Sequence, residues 1–191
     1  MALLHSEKIK LGTPAADFSL QGVDGQNYSL ADFQKKKAIV ILFICSHCPY
    51  VQAVEERILQ LHRDYSPKGV QFIAICSNDS TEYPDDSPEN LKKRWKEKNY
   101  GFPYLIDESQ AVAAGYKAVC TPDIFVFDSH RRLAYHGRID DNWQEEKKVS
   151  RRELADALER ILHGDPPVSE QHPSMGCSIK WKKHTGKAVS L

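Results

Sequence analysis

Along this chain, short runs of consecutive apolar residues alternate with segments in which apolar positions return every three or four residues. In residues 38–44, Ala38, Ile39, Val40, Ile41, Leu42, Phe43 and Ile44 leave no polar face, as expected of a central strand covered by helices on both sides. From 49 to 65, Val51, Val54, Ile58, Leu59 and Leu61 recur near the helical period, with Glu55, Glu56, Arg57 and Arg63 between them. That spacing predicts an amphipathic helix. Pro67 and Gly69 stop it, and residues 70–76 predict a second buried strand. Strand, helix and strand within about 40 residues make a βαβ unit.

Elements of other kinds flank this unit. Residues 13–30 alternate around Asp24-Gly25 and predict an N-terminal β-hairpin. Residues 77–88, with Pro84, Pro88 and several Asp and Ser, read as a polar loop, followed by a charged helix over 89–99. A short extended piece over 103–107 and a small-residue helix over 110–116 come next. Residues 124–128 and 132–136 flank a polar turn as an antiparallel hairpin. The last helix covers 150–163, with Leu154, Ala157, Leu158 and Ile161 on one face and Gly164 as its stop. Beyond Asp165-Pro166-Pro167 the chain is polar and weakly patterned apart from Met175, Cys177, Ile179 and Trp181. The expected organisation is one domain over 1–164 and a C-terminal extension over 165–191.

Composition narrows the functions. Lysine plus arginine and aspartate plus glutamate each number 26, so no basic surplus recruits nucleic acid, and only 180–187 is locally basic. No segment approaches the roughly 18 consecutive apolar residues of a membrane span. The first twelve residues carry Glu7, Lys8 and Lys10 and lack a signal-peptide core. A cytoplasmic protein is expected. Five cysteines are an odd count with uneven spacing, which fits a reducing compartment better than a secreted disulfide scaffold.

Against that background the Cys45-Ser46-His47-Cys48 motif needs a reason, and catalysis and metal binding are the two common ones. The motif falls where a buried strand hands over to a helix, which places both cysteines in the helix's first turn. Free backbone N–H groups and the positive end of the helix dipole there favour a thiolate. Cys45, nearer the exposed tip, is the expected nucleophile. A three-residue spacing in a helical turn brings the Cα atoms to about 5.5 Å, a span that a disulfide bridges. A cationic His47 adds positive charge beside both sulfurs. There is no second Cys-x-x-Cys and no His-x-x-x-His, so a closed zinc site needs distant ligands.

The segments Gly12-Thr13-Pro14-Ala15-Ala16-Asp17-Phe18-Ser19-Leu20, Ser29-Leu30-Ala31-Asp32-Phe33, Cys45-Ser46-His47-Cys48-Pro49-Tyr50, Cys120-Thr121-Pro122-Asp123 and Gly176-Cys177-Ser178-Ile179-Lys180-Trp181 carry a further signal. With them the chain resembles the peroxiredoxin-like, alkyl hydroperoxide reductase/thiol-specific antioxidant branch of the thioredoxin superfamily. The resemblance implies a thioredoxin-like α/β fold, a central mixed sheet flanked by helices. It also implies a cis Pro122 against the dithiol, with Thr121 offering backbone groups to an extended substrate. Two departures stand out. Ile44 precedes the motif and no acid lies in 38–44, so proton transfer uses another group or water. Glu55 and Glu56 are the nearest acids along the helix and read as its solvated face. Aligned on Cys48-Pro49, the proline and threonine that accompany a peroxidatic cysteine are replaced by Ile41 and Cys45; aligned on Cys45, they are replaced by Ala38 and Leu42.

The remaining candidates carry two readings each. Cys120 lies either near the dithiol or as an inert buried thiol. Cys177 is either a third redox thiol or part of a segment that Ile179 and Trp181 dock onto the core. Cys76 reads as a small core residue. His5, His62, His130, His136, His163, His172 and His184 have no ligand spacing and read as surface or turn residues, as Lys92, Lys93, Arg94, Lys96 and Lys98 read as a solvated helix face. Without a phosphate loop or dinucleotide-binding glycines, no cofactor is expected. The expected function is thiol-disulfide exchange by Cys45 and Cys48, with His47, Pro49, Thr121 and Pro122 around them. It would act on protein or small-molecule disulfides, with electrons from an external reductant such as thioredoxin or glutathione. The alternatives are a thiol peroxidase acting on hydroperoxides and a metal-binding protein of the same fold.

Overall fold

A computed structural model describes residues 3–183. His184 and Lys187, the ends of the histidine set and of the basic tail, lie outside the described residues. Strand β4 (Ala38–Phe43) is fully buried and sits inside a seven-stranded sheet, parallel to β5 (Val70–Cys76) and antiparallel to β8 (Asp123–Phe127). The sheet runs β3-β2-β6-β5-β4-β8-β9, with β2 (Ser19–Gly22), β3 (Asn27–Ser29), β6 (Tyr104–Ile106) and β9 (Leu133–His136). Mixed parallel and antiparallel pairing follows from the connections: a helix joins β4 to β5, whereas β2–β3 and β8–β9 are hairpins.

Alternation along β4 divides the core in two. Val40 and Leu42 face a layer formed by α1 (Pro49–Tyr65), α2 (Pro88–Glu97) and α4 (Glu153–His163). Ile39, Ile41 and Phe43 face Phe18, Phe33 and the short α3 (Ala111–Tyr116). From α1, Val51, Val54, Ile58 and Leu59 are buried, each worth about 1.5–3 kcal/mol relative to exposure. The expected elements are all present, with shifts of a few residues at their ends.

Two differences bear on function. The helix after β4 starts at Pro49, with Cys48 in extended geometry (φ −76°, ψ 120°) as its N-cap. Proline supplies no N–H and pre-sets the first helical φ, so the helix begins there. Cys45 therefore lies before the helix and not in its first turn.

The second difference is the C-terminal extension. Its strand β10 (Met175–Ser178) is the middle of a three-stranded sheet, between β1 (Leu3–His5) and β7 (Cys120–Thr121). Cys177 pairs with Leu3 on one side and Thr121 on the other. The approach is very close: a Cβ on Gly176 would lie 1.9 Å from the Thr121 carbonyl oxygen and 2.6 Å from its carbon. Glycine is required at 176 because backbone, not a flexible side chain, fills that space. Among the described residues no helix is long and apolar enough to cross a membrane.

Gly176→Ala is expected to cost about 1–3 kcal/mol, the usual range for overpacking. At roughly 2–4 °C per kcal/mol for a chain of this size, thermal unfolding measures it. An unchanged Tm would mean that β10 does not hold this close register.

Candidate active site

Three elements converge on the two sulfurs. β4 delivers Cys45, the start of α1 fixes Cys48, and the peptide between β7 and β8 brings Thr121, whose bond to Pro122 is cis. One residue contacts both thiols: Thr121 Oγ1 is 3.4 Å from Cys45 Sγ, and Cys48 Sγ is 3.1 Å from the Thr121 carbonyl oxygen. Cys45 is 2% exposed and Cys48 is fully buried, so Cys45 is not at an exposed tip.

The proton is unequally shared. Cys48 is drawn down to about 4, first by the hydrogen bond from Cys45 and then by donors from Cys177, Thr121 and the Val51 backbone N–H, against the cost of burial. The Thr121 carbonyl favours a protonated Cys48, but it is one acceptor against several donors at a helix N-terminus. Cys45 is pushed up, first by its hydrogen bond to Cys48 and then by burial and the nearby Asp86 carboxylate. Of the pair, Cys48 is the sulfur drawn toward the thiolate and Cys45 the one pushed toward the thiol, whereas the sequence pointed to Cys45.

The acid that β4 lacks comes from elsewhere. Asp86, 2% exposed, ends a 3-10 turn (Pro84–Asp86) just before α2. Its Oδ1 accepts from the Ser46 N–H at 2.7 Å and faces the Ser46 hydroxyl at 2.8 Å. Its Oδ2 accepts from Asn78 Nδ2 at 2.7 Å and pairs with His47 Nδ1 at 2.7 Å. Burial works to raise the Asp86 carboxyl, but His47, Asn78 and Ser46 outweigh it and hold it ionised. His47 is correspondingly raised by its bond to Asp86, against its own burial, and its ring stacks on Tyr83.

Glu55 is a correction. It is not on a solvated face but 3% exposed, gripped by Arg94 through two 2.7 Å bonds and by the Tyr100 hydroxyl at 2.6 Å. It ties α2 to α1, and so holds Asp86 against the dithiol loop. His136 is also not a surface residue: it is 5% exposed, 2.8 Å from Asp123 and stacked on Phe125. A sequence cannot distinguish such buried pairs from exposed charges, because helical spacing places Glu55 among exposed positions and its partners are 39 and 45 residues away. Asp86 and Asn78 went unnoticed for a similar reason: both lie in a loop rich in polar residues, and the flanking prolines marked only the loop.

The other candidates separate clearly. Pro49 is the first residue of α1 and Pro122 follows Thr121. Cys177, paired in register with Thr121, packs in the same buried cluster as Cys48. Cys120 is fully buried, its sulfur 3.7 Å from the Pro122 carbonyl oxygen, and burial holds it as a thiol; Cys76 is likewise buried and protonated. Cys45, His47 and Asp86 place one ligand atom each within 4.8 Å of one another. That mixed sulfur, nitrogen and oxygen set is one short of a closed tetrahedral site, and both Asp86 oxygens are already engaged by protein donors.

Two buried cysteines at a strand-to-helix junction, against a cis X-Pro peptide, form the candidate site. The chain belongs to the Redoxin family, which matches over residues 10–154, and with it to the peroxiredoxin-like part of the thioredoxin superfamily. It is similar over nearly its whole length to two solved structures. One is an uncharacterized conserved protein from Geobacillus kaustophilus (45% identity, TM-score 0.91, covering 96% of this chain and 98% of that one). The other is a hypothetical protein from Sinorhizobium meliloti 1021 (40% identity, TM-score 0.90, 94% and 98% coverage). It is also 26% identical over 127 residues to the thiol-disulfide oxidoreductase ResA of Bacillus thuringiensis subsp. konkukian (strain 97-27), covering 66% of this chain and 69% of that protein. At the level of the family, these relationships support a redox enzyme.

Two measurements test the electrostatics. The thiolate absorbance of the reduced protein is expected to persist down to about pH 4 and to vanish in Cys48→Ser; loss near the ordinary thiol value of about 8.5 would place no anion there. Since the folded-state value is depressed, the stability it gives the reduced form is complete above the unfolded thiol value and lost as pH falls through about 4. Asp86→Asn is expected to lower the His47 titration seen by NMR, because the first cause of its rise is removed; an unaltered titration contradicts the pairing.

Proposed function

We propose that this protein is a thiol-disulfide oxidoreductase in which Cys48 attacks and Cys45 resolves. The observation that carries the reading is the arrangement of Cys48 at a helix N-cap with Cys45 beside it, both sulfurs against Thr121, and the negative charge drawn toward Cys48. The Cys48 thiolate attacks one sulfur of a substrate disulfide, forming a mixed disulfide and releasing the other half as a thiolate. Once Cys48 is covalently capped, it no longer holds the proton on Cys45. Cys45 then loses that proton and attacks Cys48 Sγ, closing the Cys45–Cys48 disulfide and releasing the second substrate thiolate. The substrate gains the two electrons that the pair loses. Asp86 and His47, with atoms within 4.8 Å of Cys45 Sγ, stand where the Cys45 proton is taken up.

Recycling requires an external dithiol or thiol reductant such as thioredoxin or glutathione, in keeping with a reducing, cytoplasmic setting. A polar groove lined by Ser46, His47, Gln52, Asp85 and Asn90 opens beside the motif and suits a hydrophilic substrate segment. Hydroperoxide chemistry is less favoured, since the arginine buried in α1, Arg57, is committed to Asp140 and to the carbonyls of Asn142 and Trp143.

Reduction of a protein disulfide with glutathione as electron source tests the proposal. Cys48→Ser is expected to lower the rate by at least about 10³-fold, the scale of losing a nucleophile. Full activity in Cys48→Ser, or activity only with hydroperoxide as oxidant, would exclude it.

A further inference from the structure

Strand β10 occupies the ground that an incoming substrate would need. Its backbone is paired to Thr121, the residue that touches both sulfurs, and Gly176 permits an approach that no side chain would allow. The strand also carries a thiol to the reacting atom. Cys177 is paired in register with Thr121, whose carbonyl oxygen is 3.1 Å from Cys48 Sγ, and Cys48 and Cys177 share one buried cluster; Cys177 is only 3% exposed.

The segment that follows is tied to the rest of the site. Ile179 N–H donates to the Val119 carbonyl and the Asp79 N–H to the Lys180 carbonyl, at 2.9 and 2.8 Å. Lys180 N–H donates to Asn78 Oδ1 at 2.8 Å, and Asn78 Nδ2 in turn holds Asp86. A continuous hydrogen-bonded chain therefore runs from the C-terminal segment through Asn78 and Asp86 to Ser46 and His47 of the dithiol loop. Such a tether places Cys177 reproducibly and not as a loose tail.

We propose that Cys177 is a second resolving thiol for Cys48, so that the protein forms a Cys48–Cys177 disulfide as well as the Cys45–Cys48 one. This rests on the exchange reading above. β10 peels from Thr121 to admit a disulfide substrate and returns with Cys177 aimed at the mixed disulfide. Cys177 gives up its proton and attacks Cys48 Sγ; the Cys48–Cys177 bond forms, the bond to the substrate sulfur breaks, and that sulfur departs as a thiolate and takes up a proton. The same attack on a closed Cys45–Cys48 disulfide releases Cys45 as the thiolate with no net change in electrons. In the reduced protein Cys177 is held protonated, pushed up to about 12 by burial and then by the anion on Cys48. It is therefore silent until Cys48 is capped, as Cys45 is.

The experiment uses the full chain, reduced and then exposed to oxidised glutathione, comparing Cys45→Ser with Cys45→Ser/Cys177→Ser. Cys45→Ser is expected to shed glutathione from Cys48 at least about tenfold faster than the double variant, through the proximity advantage of an intramolecular thiol. Peptide mapping should then recover a Cys48–Cys177 bridge. Equal retention of glutathione in the two variants, with no such bridge, overturns the proposal while leaving Cys45–Cys48 exchange standing. Failure of the double variant to take up glutathione at all would instead refute Cys48 as the attacking group, and with it both readings. Circular dichroism checks that the variants fold. If either does not, the wild-type map decides: a Cys48–Cys177 peptide that disappears in Cys177→Ser supports the proposal, and its absence from oxidised wild type removes it.

Discussion

A sulfur anion shut away from water must be solvated by the protein, and the site follows from that requirement. Cys48 is fully buried, yet it is the thiol drawn toward ionisation. An unpaired charge in such a place would cost several kcal/mol, so donors must replace the lost hydration. They come from separate parts of the chain: Val51 from α1, Cys45 from the end of β4, Thr121 from the cis-peptide turn and Cys177 from β10. No single element makes this site. Its chemistry appears only when the central strand, the helix start, β7 and β10 are in register.

The same requirement explains the positions of the charged groups. Asp86 is too costly to bury alone, and Ser46, Asn78 and His47 satisfy it while fixing the dithiol loop. Glu55, with Arg94 and Tyr100, holds α2 to α1 at the distance that places Asp86 there. Two buried carboxylates on different elements thus act in sequence, one joining helices and the other shaping the loop between the cysteines. The C-terminal segment enters the same network through Asn78 and Lys180, so the strand over the dithiol and the acid beneath it are mechanically coupled.

Much of the scaffold was legible from periodicity. A run such as Ala38 to Phe43 has no polar face to present to water, and the spacing of Val51, Val54, Ile58 and Leu59 allows one buried stripe on a helix. The dithiol itself was legible because a strand leads directly into it. The partition of the proton between Cys45 and Cys48 was not. It depends on a helix that starts one residue after Cys48, a boundary of the kind that periodicity resolves least well, and on groups 73 and more residues away. Glu55 and His136 read as surface residues because their partners are distant in the chain.

By itself, then, the sequence determined the order of the main sheet's strands and of the helices, the α/β class and the presence of a Cys-Ser-His-Cys pair at a strand exit, since these follow from local apolar spacing and from turn-forming residues. Only the tertiary structure decided which sulfur carries the charge, that Asp86 supplies the missing acid and that β10 lays Cys177 across Cys48 beside Thr121. These are matters of distance and burial between segments far apart in the chain, and in a low-dielectric interior a few ångströms between such groups decide which of them is ionised.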